Sequence, residues 1–219
     1  MTNLNDQTVG VIQTATSTQT ATYTVVAHPI RLLLGPGEGM LYVTLDNGTV
    51  AVLDATTGAL ATTLAVGGTP NGIALSPDAA RVYVSTYAPG GVAEINTASN
   101  AVIRTIAAAG TPQDLVVSRD GSTLYMANEG GWLEVRTIAT GALTDSIPVP
   151  GAFGLALTPD EAAIWVTQTA SGAVAIIDRA TRKLTRTVYT LGAPRHLAFP
   201  PDGSVALVAN ESGYVQLIR

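Results

Sequence analysis

The chain contains no cysteine. That excludes disulfide staples, thiolate metal sites and a cysteine nucleophile. Histidine is almost as scarce, with only His28 and His196, which argues against a zinc site. Charge is thin. Asp, Glu, Lys and Arg make up 12% of 219 residues, about half the usual share of roughly 25%. The net charge is −5 with a pI near 4.8, and no Lys/Arg stripe offsets it, so nucleic acid is not an expected partner. Arg179, Arg182, Lys183 and Arg186 crowd one segment, where they read as the solvated face of a turn. No apolar run approaches the roughly 20 residues that cross a bilayer as a helix. The first residues, Met-Thr-Asn-Leu-Asn-Asp, show neither the basic nor the apolar region of a secretory signal. As written, the sequence predicts a cytoplasmic protein with no membrane partner; a removed signal peptide replaced by a start Met reads the same.

What is present is a repeat. The hydrophobic fraction is 47%, and the polar residues are mostly Thr, Ser, Asn and Gln, which suit strands and turns. One phrase recurs: Pro, an apolar triplet, a Pro-Asp-like turn, an aromatic strand, then Gly and a second apolar strand. It reads Thr69-Pro70 … Ile73-Ala74-Leu75-Ser76-Pro77-Asp78, then Val82-Tyr83-Val84-Ser85. Further copies carry Pro112 with Leu115-Val116-Val117 and Leu124-Tyr125, Leu155-Ala156-Leu157 with Ile164-Trp165, and Pro194 with Leu197-Ala198-Phe199. The turn positions Gly37, Asp78, Asp120, Asp160 and Asp202 are spaced by 41, 42, 40 and 42 residues. Each copy holds four short strands (a to d) and no helical period. Strand a follows the Pro, strand b carries the Tyr or Trp, strand c is the apolar run at 50–53, 92–95, 133–136, 174–177 and 215–218, and strand d follows an Ala-Thr-Thr-Gly type of turn. Four strands per 40 to 45 residues is the arithmetic of a propeller blade.

The phrases Leu41-Tyr42-Val43-Thr44, Tyr125-Met126-Ala127-Asn128 and Val174-Ala175-Ile176-Ile177-Asp178 resemble the YVTN repeat. That family of β-propellers includes surface-layer proteins, and related seven-bladed enzymes include lactonases and a streptogramin lyase. The resemblance covers nearly the whole chain and implies the fold; its matching residues are structural and assign no activity. Five repeats stand here where that family usually has seven.

The expected fold is therefore all-β: one five-bladed β-propeller over 1–219, with four-stranded antiparallel blades starting near 29, 70, 112, 152 and 194. Residues 9–16 match a strand c and its turn, and residues 21–26 match a strand d. Since 9 and 215 differ by five repeats, the N-terminal strand d is expected to complete the last blade and close the ring. Residues 1–18 are then surplus, frayed, or the mark of a chain cut from a longer propeller.

Comparing copies singles out candidate site residues, because a residue shared by all copies is explained by the fold. The second residue after the opening Pro, or its equivalent, is Arg31, Gly72, Asp114, Gly154 and His196; the one before it is Ile30, Asn71, Gln113, Phe153 and Arg195. A cation, a carboxylate and an imidazole at one ring position could hold an anionic or carbonyl ligand and move a proton. The loops after strand b contribute Asp46, Tyr87, Glu129, Gln168 and Glu211. His196 is the expected acid or base, oriented by Glu211 or Asp114, with Arg31 holding an oxyanion. Tyr87, Glu129, Asn71, Gln168 and Arg195 are expected to line the ligand. No cofactor is predicted, although an oxygen-rich Ca²⁺ or Mg²⁺ site could draw on Asp46, Asp114, Glu129 and Glu211.

Other motifs fall away. Gly35-Pro36-Gly37-Glu38-Gly39 lacks the following helix that would hold a phosphate. No Gly-x-Ser-x-Gly elbow or His-Glu-x-x-His segment occurs. Three functional readings stay open: a small-molecule lyase, isomerase or lactonase-like hydrolase using the polar funnel; a non-catalytic propeller holding a protein or glycan; and a fragment of a longer surface-layer-type protein.

Overall fold

The computed structural model describes residues 1–219, and they form two compact units, Met1–Ala109 and Gly110–Arg219. Each unit consists of three antiparallel sheets, so the chain carries six blades. In the first unit, blade 1 is β1 (Thr2–Asn3), β2 (Thr8–Gln13) and β3 (Thr18–Thr24). Blade 2 is β4 (Pro29–Leu34), β5 (Met40–Leu45), β6 (Thr49–Asp54) and β7 (Leu60–Ala65), with a 3-10 turn at Pro36–Glu38. Blade 3 is β8 (Thr69–Leu75), β9 (Arg81–Tyr87), β10 (Gly91–Asn96) and β11 (Ala101–Ala107). In the second unit, blade 4 is β12 (Pro112–Val117), β13 (Thr123–Asn128), β14 (Trp132–Thr137) and β15 (Leu143–Pro148). Blade 5 is β16 (Ala152–Leu157), β17 (Ala163–Gln168), β18 (Ala173–Asp178) and β19 (Lys183–Tyr189). Blade 6 is β20 (Pro194–Ala198), β21 (Ala206–Asn210) and β22 (Tyr214–Ile218).

The middle strands are apolar on both faces because blades stack face to face. In the second unit Tyr125, Ala127, Leu133 and Val135 of blade 4 pack with Leu155, Ile164, Val166, Ala175 and Ile177 of blade 5. In the first, Tyr42, Val50 and Val52 of blade 2 pack with Val82, Val84, Ala93 and Ile95 of blade 3. The aspartates of the a-to-b turns bond locally. Asp120 accepts from Ser118 Oγ (2.6 Å) and Ser122 N (2.9 Å), and Asp78 and Asp160 repeat the arrangement. These hydrogen bonds hold the Asp120 carboxyl down at about 2 and keep Asp78 and Asp160 below the usual range.

The expected five blades are corrected to six, and the expected ring closure by an N-terminal outer strand is corrected with it. Thr18–Thr24 pairs with Thr8–Gln13, and Thr2–Asn3 adds a short third strand through Thr2↔Val9 and Asn3↔Thr8. Residues 1–18 thus supply most of a blade of their own. At the other end, Tyr214–Ile218 is the outermost strand of a three-stranded sheet. Loop-closure entropy favours this pairing, since a hairpin joins strands only a few residues apart, whereas the expected closure joined opposite ends of the chain. Packing favours it too. Val9 and Tyr23 are buried together with Leu41, Val43, Ala51 and Leu53 of blade 2. The Tyr23 hydroxyl donates its proton to Thr56 O (2.8 Å), with Ala55 O also within reach (3.1 Å). Gly58, at φ +73°, leaves room for the Tyr23 ring, which a Cβ there would strike.

Candidate functional site

Each blade after the first opens with a small irregularity that aims the candidate residues. The register between strands a and b slips just after the opening residue, at Pro29/Arg31, Pro70/Ile73, Pro112/Asp114, Ala152/Leu155 and Pro194/His196. A proline cannot donate to the ladder, and a bulge turns the next side chains out of the regular alternation. In blades 2, 3 and 5 a strand-b hydroxyl fills the slip. Thr44 Oγ1, Ser85 Oγ and Thr167 Oγ1 accept from Arg31 N (3.0 Å), Gly72 N (2.8 Å) and Gly154 N (2.7 Å). Thr44 also donates to Asn71 O (3.2 Å) and Thr167 to Arg195 O (2.9 Å), stitching each blade to the next.

Blades 4 and 6 depart from this rule. Their strand-b residue is alanine, with Asp114 opposite Ala127 and His196 opposite Ala209. These two departures meet. His196 Nδ1 lies 3.8 Å from Asp114 Oδ2, across the intervening blade 5. The meeting is possible because the equivalent residue of blade 5 is Gly154. A Cβ there would collide with Arg195 O and crowd the His196 backbone. Asp114 is buried, and its carboxylate accepts from Leu115 N (3.0 Å) and from Leu155 N of blade 5 (3.4 Å). It therefore takes over the stitching that a hydroxyl performs elsewhere. His196 is partly exposed, with 38% of its side chain accessible.

A second group flanks the pair. The Arg195 guanidinium sits over the Phe153 ring at 4.0 Å and forms an ion pair with Glu211 at 2.6 Å. The His196 ring lies 5.6 Å from the same Phe153 ring. Stacking on an aromatic ring holds the planar guanidinium in one orientation. In blade 4, Gln113 Nε2 donates to Glu129 at 2.5 Å. Asn128 and Asn210 explain the repeated Asn-Glu pair. Their Oδ1 atoms accept from Thr111 N and Ala193 N, both at 2.9 Å, tying down the preceding loops.

Of the residues expected from sequence, the second unit brings together Asp114, His196, Arg195 and Glu211, and holds Glu129 with Gln113. Gln168 ends β17 and donates to Pro150 O at 3.1 Å. In the first unit, Arg31 lies in β4 at the slip, Asn71 is buried in β8, and Tyr87 ends β9 opposite Thr69. Asp46 pairs with His28 through its Nδ1 at 2.8 Å. Nowhere do three or more His, Asp or Glu side chains gather as metal ligands. Sequence comparison did not single out Phe153 as a platform or Gly154 as the gap between two ionisable neighbours. The loss of the strand-b hydroxyl at Ala127 and Ala209 was the available signal.

A family profile described as YNCE-like beta-propeller matches residues 92–219, more than half of the chain. The chain belongs to this β-propeller family. Of the resemblance to YVTN propellers, the β-propeller itself is what the match supports. Among solved structures, the propeller is similar to Kuenenia stuttgartiensis hydrazine synthase, at 22% identity and a TM-score of 0.90, over 98% of this chain and 71% of that one. It is also similar to a functionally unknown protein from Desulfotomaculum acetoxidans DSM 771, at 15% identity and a TM-score of 0.84, over 99% of this chain and 77% of that one. At these identities the likeness carries the fold alone. No curated protein matches the propeller, and no helix is long and apolar enough to cross a membrane.

Proposed function

We propose that this propeller binds a small organic molecule at the Asp114–His196–Arg195 cluster and that His196 exchanges a proton with it. The observation that carries this reading is the convergence of two departures. Asp114 and His196 stand opposite Ala127 and Ala209, where the repeat otherwise uses a strand-b hydroxyl, and they face each other across the side-chain gap at Gly154. A carboxylate on the Nδ1 side favours the tautomer with the proton on Nδ1 and leaves Nε2 to accept or give a proton. The 3.8 Å separation is an ion-pair distance, longer than a direct hydrogen bond. Arg195 supplies a cation for a carboxylate or polarised carbonyl, although Glu211 already engages part of it. The reaction classes that use such a group are lyase, isomerase and lactonase-like hydrolase, in keeping with the YVTN-like phrases of the sequence.

A second reading, a recognition surface without chemistry, rests on a separate observation. In the second unit, Glu129 and Glu211 are each held by a donor of their own blade, which suits a fixed polar surface.

A thermal-melt panel of small carboxylic acids, hydroxy acids and lactones separates the two. A ligand at a hundred times its Kd stabilises the native state by about 2.7 kcal/mol, and His196→Ala should abolish that shift. Truncating a partly exposed side chain should itself change stability by no more than about 0.5 kcal/mol. If turnover is found, the same substitution should lower it by about 10²–10⁴. An equal shift, or undiminished turnover, in His196→Ala contradicts the proposal.

A further inference from the structure

The basic run at Arg179, Arg182, Lys183 and Arg186 is not one solvated face. Lys183 and Arg186 are exposed on β19. Arg179 and Arg182 instead line a cavity of about 370 Å³ between blades 4 and 5, together with Thr123, Tyr125, Glu161 and Asp178. The cavity lies at the a-to-b and c-to-d turns, at the opposite ends of the strands from Asp114 and His196. Its volume falls in the range of small-molecule sites.

Both arginines depart from the repeat. Arg179 opens the c-to-d turn of blade 5, where blades 1 to 4 have Thr14, Ala55, Thr97 and Ile138. Arg182 closes that turn at φ +59°, where blades 1 to 4 place Ser17, Gly58, Asn100 and Gly141, all at positive φ. A long side chain is uncommon in this left-handed region, which Gly and Asn enter most easily. Strain of this kind collects at functional sites. The exposed Arg182–Asp145 pair at 3.3 Å is too weak an interaction to account for it. The lining carries both signs of charge. Arg179 is fixed by donating from Nε to the Tyr125 hydroxyl (2.9 Å), by Glu161 Oε2 at 3.3 Å from Nη1, and by the Tyr125 ring at 5.9 Å. Glu161 is thus answered by Arg179, and its Oε1 also accepts from Arg119 N (2.6 Å). Asp178 Oδ1 accepts from Thr181 N and Thr181 Oγ1, both at 2.7 Å, which holds its carboxyl below the usual range and keeps it charged.

We propose that this cavity binds a small zwitterion of the α-amino acid class, its carboxylate held by Arg179 and Arg182 and its ammonium by Asp178. A plain anion would meet the carboxylates of Glu161 and Asp178, and a plain cation would meet both guanidinium groups. A molecule carrying both charges is complementary to the whole lining. The guanidinium fork matches a carboxylate in shape as well as charge.

The chain supplies its own tolerated replacements for a test. Gly58 and Gly141 stand at the position of Arg182. Asn96 stands at that of Asp178, where its Oδ1 accepts from Ala98 N and Ser99 N, both at 3.0 Å. Titrating the full chain with free α-amino acids should give saturable amide NMR shifts at Ala162 and Ala180, which also line the cavity. The N-acetyl and the amide derivative of the tightest binder, each lacking one charge, should bind about ten- to hundredfold more weakly, the worth of a hydrogen bond between charged groups. Arg182→Gly should lose binding by a similar factor while melting at the parent temperature or above it, because glycine relieves the left-handed strain. Asp178→Asn should make the amino acid and its N-acetyl derivative bind alike. Arg186→Ala, which removes an exposed charge of the same sign, should leave binding unchanged. No saturable shift up to about 10 mM of any amino acid overturns the proposal, as does an N-acetyl derivative that binds as tightly as its parent. Undiminished binding by Arg182→Gly also overturns it; should that variant fail to fold, the derivatives decide alone.

Discussion

Adding one methyl group at two glycines of this chain should have opposite consequences. Gly39 has φ −81° and ψ −23°, ordinary right-handed values, and a Cβ there meets nothing within 4 Å. Gly39→Ala should stabilise the protein by about 0.4–1 kcal/mol, mainly by restricting the unfolded chain. Gly154 is buried in β16, where a Cβ would run into Arg195 O, its carbonyl carbon and His196 Cα. All three atoms are backbone, so rotamer changes cannot relieve the overlap. The first strand of blade 6 must move away from blade 5, weakening the Thr167 Oγ1–Arg195 O bond of 2.9 Å and pulling His196 from Asp114. Overpacking of this kind costs about 1–3 kcal/mol, and the backbone contact places Gly154→Ala toward the upper end. Urea titration of both variants measures the difference, with the slope showing whether the native state keeps its compactness. A Gly154→Ala protein as stable as the parent would refute the close approach on which the candidate site depends.

Other expectations follow from the same structure. Tyr23→Phe removes the one hydroxyl proton shared between Ala55 O and Thr56 O and should cost about 1 kcal/mol, while Tyr23→Ala should cost about 3–5 kcal/mol. The neighbouring exposed Thr22→Ala should stay within about 0.5 kcal/mol, and equal midpoints for all three in urea would remove blade 1 from the packed structure. In acid, the a-to-b turns should weaken as their aspartates take up protons. A depressed carboxyl contributes stability above its unfolded value of 3.8 and loses it as pH falls through its folded value, about 2 for Asp120. Asp120→Asn should therefore be less stable than the parent at neutral pH and converge on it between about pH 4 and 2. Melts across that range check the sign, and a gap that widens in acid would reverse it.

How much of this could be read from the sequence depends on whether a residue repeats. The blades that open at Pro29, Thr69, Pro112, Ala152 and Pro194 were visible because a proline, a turn aspartate and an aromatic strand recur at near-constant spacing. Two strands of blade 1 were read, at 9–16 and 21–26, but the second was assigned to the last blade, because the blade has no Pro-Asp turn and its Thr2–Asn3 strand is two residues long. Only its pairing with Thr8 and Val9 reveals it. Asp114 and His196 stood out as exceptions at one repeat position, yet their contact depends on an absent side chain, which sequence patterns do not record. The pairing of Arg195 with Glu211, and its stacking on Phe153, joins residues of different strands and blades. It needs the register slips after each opening residue, and these follow from backbone geometry rather than residue type.

The central claim is that Asp114 orients His196 for proton exchange, and ¹⁵N NMR of the imidazole rings tests it most directly. With only two histidines in the chain, His196 is assigned by comparison with His196→Ala. The account predicts that neutral His196 carries its proton on Nδ1, facing Asp114, and that Asp114→Asn weakens this preference. A neutral His196 protonated on Nε2, or a tautomer unchanged by Asp114→Asn, would contradict it.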